Sequence, residues 1–126
     1  MTDSNLISAL PAPVAEYVRA CNAFETDALS AVFAGDALVN DTRREFRGRP
    51  AIRHWIEREI VGDKVTMDVR DVRHQHGITV VDAVMDGEYD KTSLPAELVL
   101  THYFNVADGH VTLLVITHNN PTPAWA

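Results

Sequence analysis

Two apolar stretches, residues 96–106 and 111–117, flank the dipeptide Asp108-Gly109. An Asp-Gly pair between such segments is a strong hairpin signal, because a two-residue loop needs positive φ at its central positions. Pairing across this turn sets Val99 opposite His118, Thr101 opposite Ile116 and Tyr103 opposite Leu114, with Glu97 near the strand's start. The other face then carries Leu98, Leu100, His102 and Phe104 against Leu113, Val115 and Thr117. A sheet with one wet face alternates apolar and polar residues. This hairpin is apolar on both sides, so each face needs a cover.

The upstream residues supply one cover. Val14, Tyr17, Val18, Cys21 and Phe24 recur at helical spacing, and Pro11 and Pro13 suit a first turn, which predicts a helix over about 12–24. Thr26 or Asp27 can cap a second helix carrying Leu29, Val32 and Phe33, with Gly35 at its end. Ala37-Leu38-Val39 reads as a short strand ending at Asn40-Asp41, and residues 42–49 as a polar loop. Pro50 opens a third helix, whose stripe is Ile52, Trp55, Ile56 and Ile60. Val65, Met67 and Val69 then alternate with polar residues until Val72 falls out of phase, which predicts a bulge near Arg70-Asp71. His76-Gly77 is a turn, and 78–86 a second long strand. The expected fold is α+β: four long strands and a short one in a curved antiparallel sheet, with three N-terminal helices closing its concave face. The 126 residues form a single domain, with loose termini at 1–10 and 119–126. Three short helices cover one face only. A second copy of the chain is expected on the other, giving a homodimer through the convex side; the alternative cover is the C-terminal tail with Trp125.

Charge narrows the partners. Eleven basic and 18 acidic residues give a net charge of −7, which argues against nucleic acid and anionic membranes. No apolar run approaches a membrane span, and no basic residue precedes an apolar stretch at the N-terminus. The single cysteine, Cys21, fits a reducing, cytoplasmic setting and sits on an apolar stripe. A small molecule is the expected partner.

Several residues carry possible chemistry. Tyr17 is either a core tyrosine or a phenol that donates to a developing oxyanion. Asp41 is either an Asx turn or a general base beside a pocket. Asp82 lies within Val80-Val81-Asp82-Ala83-Val84-Met85. A carboxylate there needs water, a partner or a pocket, and pointing inward it would join Asp41 as a second acid. His118 ends the last strand as a rim residue or proton carrier. Trp55, Val84, Val99, Thr101, Tyr103, Leu114 and Ile116 are expected to line the pocket. His74-Gln75-His76 is half a metal site with no third ligand, so no metal is expected. Arg43, Arg44, Arg47, Arg49 and Arg53 read as a solvated loop and helix start, with a phosphate-bearing ligand as the minor alternative. No glycine-rich phosphate loop or nucleophile elbow is present.

The layout resembles the NTF2-like superfamily, which includes SnoaL-like polyketide cyclases and ketosteroid isomerases. The stretches that carry the resemblance are 16–23, 29–37, Val39-Asn40-Asp41, Phe46-Arg47-Gly48-Arg49-Pro50-Ala51-Ile52, and the hairpin around 100–104 and 108–111. It implies a cone-like sheet with a pocket under the helices, and dimerisation through the convex side. Against the ketosteroid isomerase pattern, Tyr17 is similar to the oxyanion-hole tyrosine and Asp41 to the proton-shuttling carboxylate. Thr101 stands where that pattern has a protonated acid, and Asp82 and His118 make the pocket more polar than a steroid favours. No Arg completes the Asp-Arg-Asp arrangement of the epoxide-hydrolase relatives. The resemblance implies cofactor-free proton transfer next to a carbonyl, isomerase- or cyclase-like, with Asp41 as base, Tyr17 polarising the carbonyl, and Asp82, Tyr103 and His118 orienting substrate or relaying protons. The alternative is a non-catalytic domain for ligand binding or dimerisation.

Overall fold

The computed structural model describes residues 4–119. Its elements are α1 (Ser4–Ser8), α2 (Ala12–Asn22), α3 (Thr26–Ala31), β1 (Phe33–Asp41), β2 (Arg44–Arg47), α4 (Arg49–Trp55) running into a π-helical turn (Ile56–Ile60), β3 (Thr66–Gln75), β4 (Ile78–Asp86), β5 (Leu98–Ala107) and β6 (His110–His118). The fold is α+β, with one curved, unclosed sheet in the order β2-β1-β6-β5-β4-β3. All strand pairs are antiparallel except β1 with β6.

The helices bury their apolar stripes on one sheet face. Val14, Tyr17, Val18 and Cys21 of α2 and Ile52, Trp55 and Ile56 pack with Val39, Met67, Val69, Val81, Ala83, Phe104, Leu114 and Ile116. Residues 4–8, expected to belong to a loose lead-in, form a helix, and Leu10 behind it is buried. The expected loose tail lies, apart from Asn119, whose N–H donates to the Val99 carbonyl (3.0 Å), outside the described residues, as does Trp125 as a cover.

Two expectations about strands change. Gly35 lies inside β1 rather than ending a helix, and the polar loop contains β2, hairpinned to β1. Their two-residue loop is Thr42-Arg43, with φ of 48° and 77°. The same loop geometry recurs at His76-Gly77 and Asp108-Gly109, where a glycine takes the second position. A β-branched threonine at positive φ is strained, at a cost of order 1–3 kcal/mol. Three hydrogen bonds hold it: Thr42 N–H to the Ile116 carbonyl (2.9 Å), Thr42 Oγ1–H to the Asp41 carbonyl (2.8 Å), and Arg43 N–H to Asn40 Oδ1 (2.9 Å).

Bulges decide which side chains face the helices. The bulge at Arg70 forms as expected, between Val69 and Asp71. A second one shifts the last hairpin. Ala107 pairs with His110 and Val106 with Val111, but Asn105 pairs with Leu113, leaving Thr112 as the extra residue. Asn105 Nδ2 donates to Thr112 Oγ1 (2.7 Å), and Thr112 Oγ1 donates to the Asn105 carbonyl (3.3 Å). Beyond this bulge Leu100 faces His118, His102 faces Ile116 and Phe104 faces Leu114. The pairing expected from the turn alone is off by one residue, and such a slip exchanges the two faces of a strand.

Candidate functional site

A cavity of about 300 Å³ opens on the concave face. Tyr17 and Cys21 of α2 form one wall, and Asp41, Thr42 and Arg44 of the strained hairpin form another. The π-helical turn brings Glu59 and Ile60, and Asp63 and Val65 follow it. Leu98, Leu100, His102, Ile116 and His118 make the sheet side, with Met85 beside them. Tyr89 and Leu94 reach over from the 87–97 connection.

Asp41 is held from two sides. Trp55 Nε1–H (3.1 Å) and an Arg44 guanidinium N–H (3.2 Å) both donate to its Oδ2. Oδ1 has no hydrogen-bond partner among the described residues. Arg44 also makes two bonds to Glu59, at 2.9 and 2.5 Å. Trp55 is fully buried and stacks on Phe46 with ring centroids 6.0 Å apart. The tryptophan expected to touch substrate instead positions the aspartate from behind.

Tyr17 is buried against Phe33 and Phe104, at centroid distances of 6.1 and 5.2 Å. Burial raises its pKa well above 10, and the nearby Cys21 and Asp41 push it the same way. The phenol therefore keeps its proton and can donate it in a hydrogen bond. Burial also pushes the Cys21 thiol up to about 12, so it is not a ready nucleophile.

The structure thus brings Tyr17, Asp41, Ile116 and His118 to one cavity. Leu114 lies in the core beneath it, fully buried. Asp82, Val84, Val99, Thr101 and Tyr103 do not reach it. They pair with one another across β4 and β5, Asp82 with Thr101, Val84 with Val99 and Val80 with Tyr103, and share the convex face. The bulge at Thr112 is the reason, since it sends the even-numbered residues of β5 inward. Asp82 is satisfied where it sits: Arg73 donates to its Oδ2 (2.7 Å) and Thr101 to its Oδ1 (2.7 Å). Burial alone would raise the Asp82 pKa, but the bonds from Arg73 and Thr101 outweigh it and hold the carboxyl below its usual 3.8.

His102 was missed as a site residue. Its side chain is fully buried and borders the cavity, and neither ring nitrogen has a hydrogen-bond partner among the described residues. Burial pulls its pKa from 6.5 to about 4, and the backbone at Val81 and Leu100 and the Asp82 charge offset this only in part. The signal was present in the bulkier apolar set Leu98, Leu100 and Phe104, which suits the core better than Val99, Thr101 and Tyr103. The arginine cluster disperses into separate contacts: Arg44 as above, Arg49 to the Phe33 carbonyl (2.5 Å) and Arg53 to Asp27 (2.6 Å). His74 Nε2 lies 3.1 Å from the Ala9 carbonyl oxygen.

Residues 4–120 match the SnoaL-like domain family. No curated protein matches significantly. Among solved structures, a Sinorhizobium meliloti protein provisionally named a polyketide cyclase is 27% identical, with a TM-score of 0.78 over 88% of this chain and 98% of that one. SalBIII, an epoxide hydrolase/cyclase-like enzyme with a role in pyran ring formation in the polyether salinomycin, is 18% identical, with a TM-score of 0.74 over 94% and 95% of the two chains. A Catenulispora acidiphila protein of ketosteroid isomerase-like fold, in complex with trimethylamine, is 18% identical, with a TM-score of 0.73 over 86% of each chain. These neighbours share the NTF2-like fold.

Proposed function

The chain belongs to the SnoaL-like domain family, and we propose that its concave cavity catalyses proton transfer next to a carbonyl on a small ring-sized substrate, without a cofactor. One observation carries this reading: Asp41 is oriented through Oδ2 while Oδ1 is left unpartnered, and Tyr17 lines the same cavity. Asp41 Oδ1 takes a proton from the carbon beside the carbonyl. The electron pair moves onto the carbonyl oxygen, and the Tyr17 hydroxyl donates a hydrogen bond to the resulting enolate. The protonated Asp41 returns its proton at another carbon, which is isomerisation, or the enolate carbon attacks a second carbonyl in the same molecule, whose π electron pair moves to its oxygen and takes the proton back from Asp41, which is ring closure. His118 at the rim can exchange the proton with solvent. The provisional cyclase name of the S. meliloti protein is in keeping with the second outcome.

The test is deuterium uptake at the α-carbon of cyclic ketones and β-keto esters in D₂O, read by mass spectrometry. The protein should speed uptake in at least one of them, and Asp41→Asn should remove most of that gain. Binding without accelerated uptake in any of them would make the domain a ligand-binding module instead. The same proposal includes a homodimer. Tyr103, 39% exposed, sits among the half-buried Val99, Leu113 and Val115 on a convex face that no helix covers. Sedimentation should give a dimer that Tyr103→Glu with Val115→Asp converts to a monomer; a wild-type monomer would remove this part.

A further inference from the structure

Among the described residues, the imidazole of His102 holds the buried side-chain nitrogens without a hydrogen-bond partner. Leaving a buried polar group without a partner costs about 1–3 kcal/mol, and folded proteins keep few of them. The neighbouring buried hydroxyls have partners: Thr101 donates to Asp82 at 2.7 Å, and Thr79 Oγ1 lies 3.4 Å from His74 Nδ1. On the adjacent strands His102 is flanked by Val81 and Ile116, and Phe104 stacks beside it with rings 11° from parallel. None of these side chains offers a donor or an acceptor, and the backbone at Val81 and Leu100 approaches the ring without completing a hydrogen bond of ordinary geometry. The remaining side is the cavity.

The rest of the cavity restricts what can enter. Its acids are Asp41, Glu59 and Asp63. Arg44, its arginine, is already bound twice to Glu59 and once to Asp41. An anionic ligand would meet three carboxylates and a cation that is already paired. A neutral oxygen meets hydroxyls of Tyr17, Thr42 and Tyr89, the rim imidazole of His118, and in His102 a buried imidazole that donates through one nitrogen and accepts through the other.

We propose that His102 is a ligand-binding residue whose imidazole hydrogen-bonds an uncharged carbonyl or hydroxyl oxygen of a ring-sized molecule, while the surrounding acids exclude carboxylates and phosphate esters. The idea rests on the cavity being the site of the proton transfer above, and it names the class of molecule the cavity takes. It also sets a role for a position where the ketosteroid isomerase comparison had pointed to Thr101.

Paired probes test it: 2-naphthol, uncharged near neutral pH, and 2-naphthoate, the same rings with a carboxylate. Titration calorimetry at pH 7 should show 2-naphthol binding at least tenfold tighter than 2-naphthoate. His102→Phe should weaken 2-naphthol about tenfold, as expected for one lost hydrogen bond, and His102→Gln should retain part of the affinity. The imidazole ¹⁵N resonances of His102 should move when 2-naphthol binds. The proposal is overturned if 2-naphthoate binds as tightly as 2-naphthol, if wild type takes neither, or if both variants bind as wild type does while the ¹⁵N signals stay still. The two readings fail separately. Deuterium uptake that depends on Asp41, with 2-naphthol affinity indifferent to His102, removes this inference and leaves the catalytic one. His102-dependent binding without uptake does the reverse.

Discussion

The two faces of the sheet each carry a partly buried aspartate near a hydroxyl, and they differ in how far their polar groups are satisfied. On the convex face, Asp82 accepts from Arg73 and Thr101, and Arg73 also bonds Asp71. Both Asp82 oxygens are used, which is what a structural network looks like. On the concave face, Asp41 has both its donors on one oxygen, and neither His102 ring nitrogen completes a hydrogen bond among the described residues. Groups left incomplete at a cavity cost stability, and a ligand can recover that cost. The comparison teaches that the residue type does not mark the site; the missing partner does.

The largest effect that would sharpen this contrast is on Tyr17. Tyr17→Phe should slow turnover by about 10²–10³, as loss of an oxyanion donor does, while the melting temperature barely moves, because the ring contacts remain. A loss of stability with unchanged turnover would make Tyr17 a core residue only. Next comes His102 and pH. Its folded pKa of about 4 lies below the ordinary 6.5, so the unfolded chain binds the proton first. Stability is complete above pH 6.5 and falls on acidification to about pH 4, by of order 3 kcal/mol from this group. Chemical denaturation across this range should show the slope, and His102→Phe should flatten it; an unchanged slope in the variant would show that His102 is not buried in its neutral form.

Asp82 should behave differently. Its folded pKa is lowered, so its contribution is present above pH 3.8 and lost only as pH falls below that. Asp82→Asn should cost about 1 kcal/mol, the scale of a hydrogen-bonded pair whose arginine is partly exposed. The smallest effect is expected at Glu59. Glu59→Gln loosens Arg44 and so the hold on Asp41, which should lower turnover only a few-fold. Turnover equal to wild type would detach Glu59 from the site.

Much of the fold was legible because its signals are local. Helical spacing found α2, the parity slip at Val72 located the β3 bulge, and Asp108-Gly109 located the last hairpin. The β1–β2 hairpin was hidden because Thr42-Arg43 lacks the Gly or Asn that positive φ favours. A tertiary hydrogen bond to Ile116, which no local pattern encodes, and a local one from Arg43 N–H to Asn40 Oδ1 hold that loop. The site was half legible for a related reason. Tyr17 and Asp41 follow from helix phase and strand end. The facing of β5 depends on a single extra residue, Thr112, and on the Asn105 bond that holds it. That one residue turned Thr101 and Tyr103 outward and brought His102 in, and it also separated Asp82 from Asp41.

The most direct test puts the two aspartates side by side in the deuterium-uptake assay. With a substrate that wild type accelerates, Asp41→Asn should lose about 10²–10⁴ in rate, the range of a general base, while Asp82→Asn stays within about twofold of wild type. An Asp41→Asn protein as active as wild type, or an equal loss in both variants, would contradict the assignment of the chemistry to the concave face.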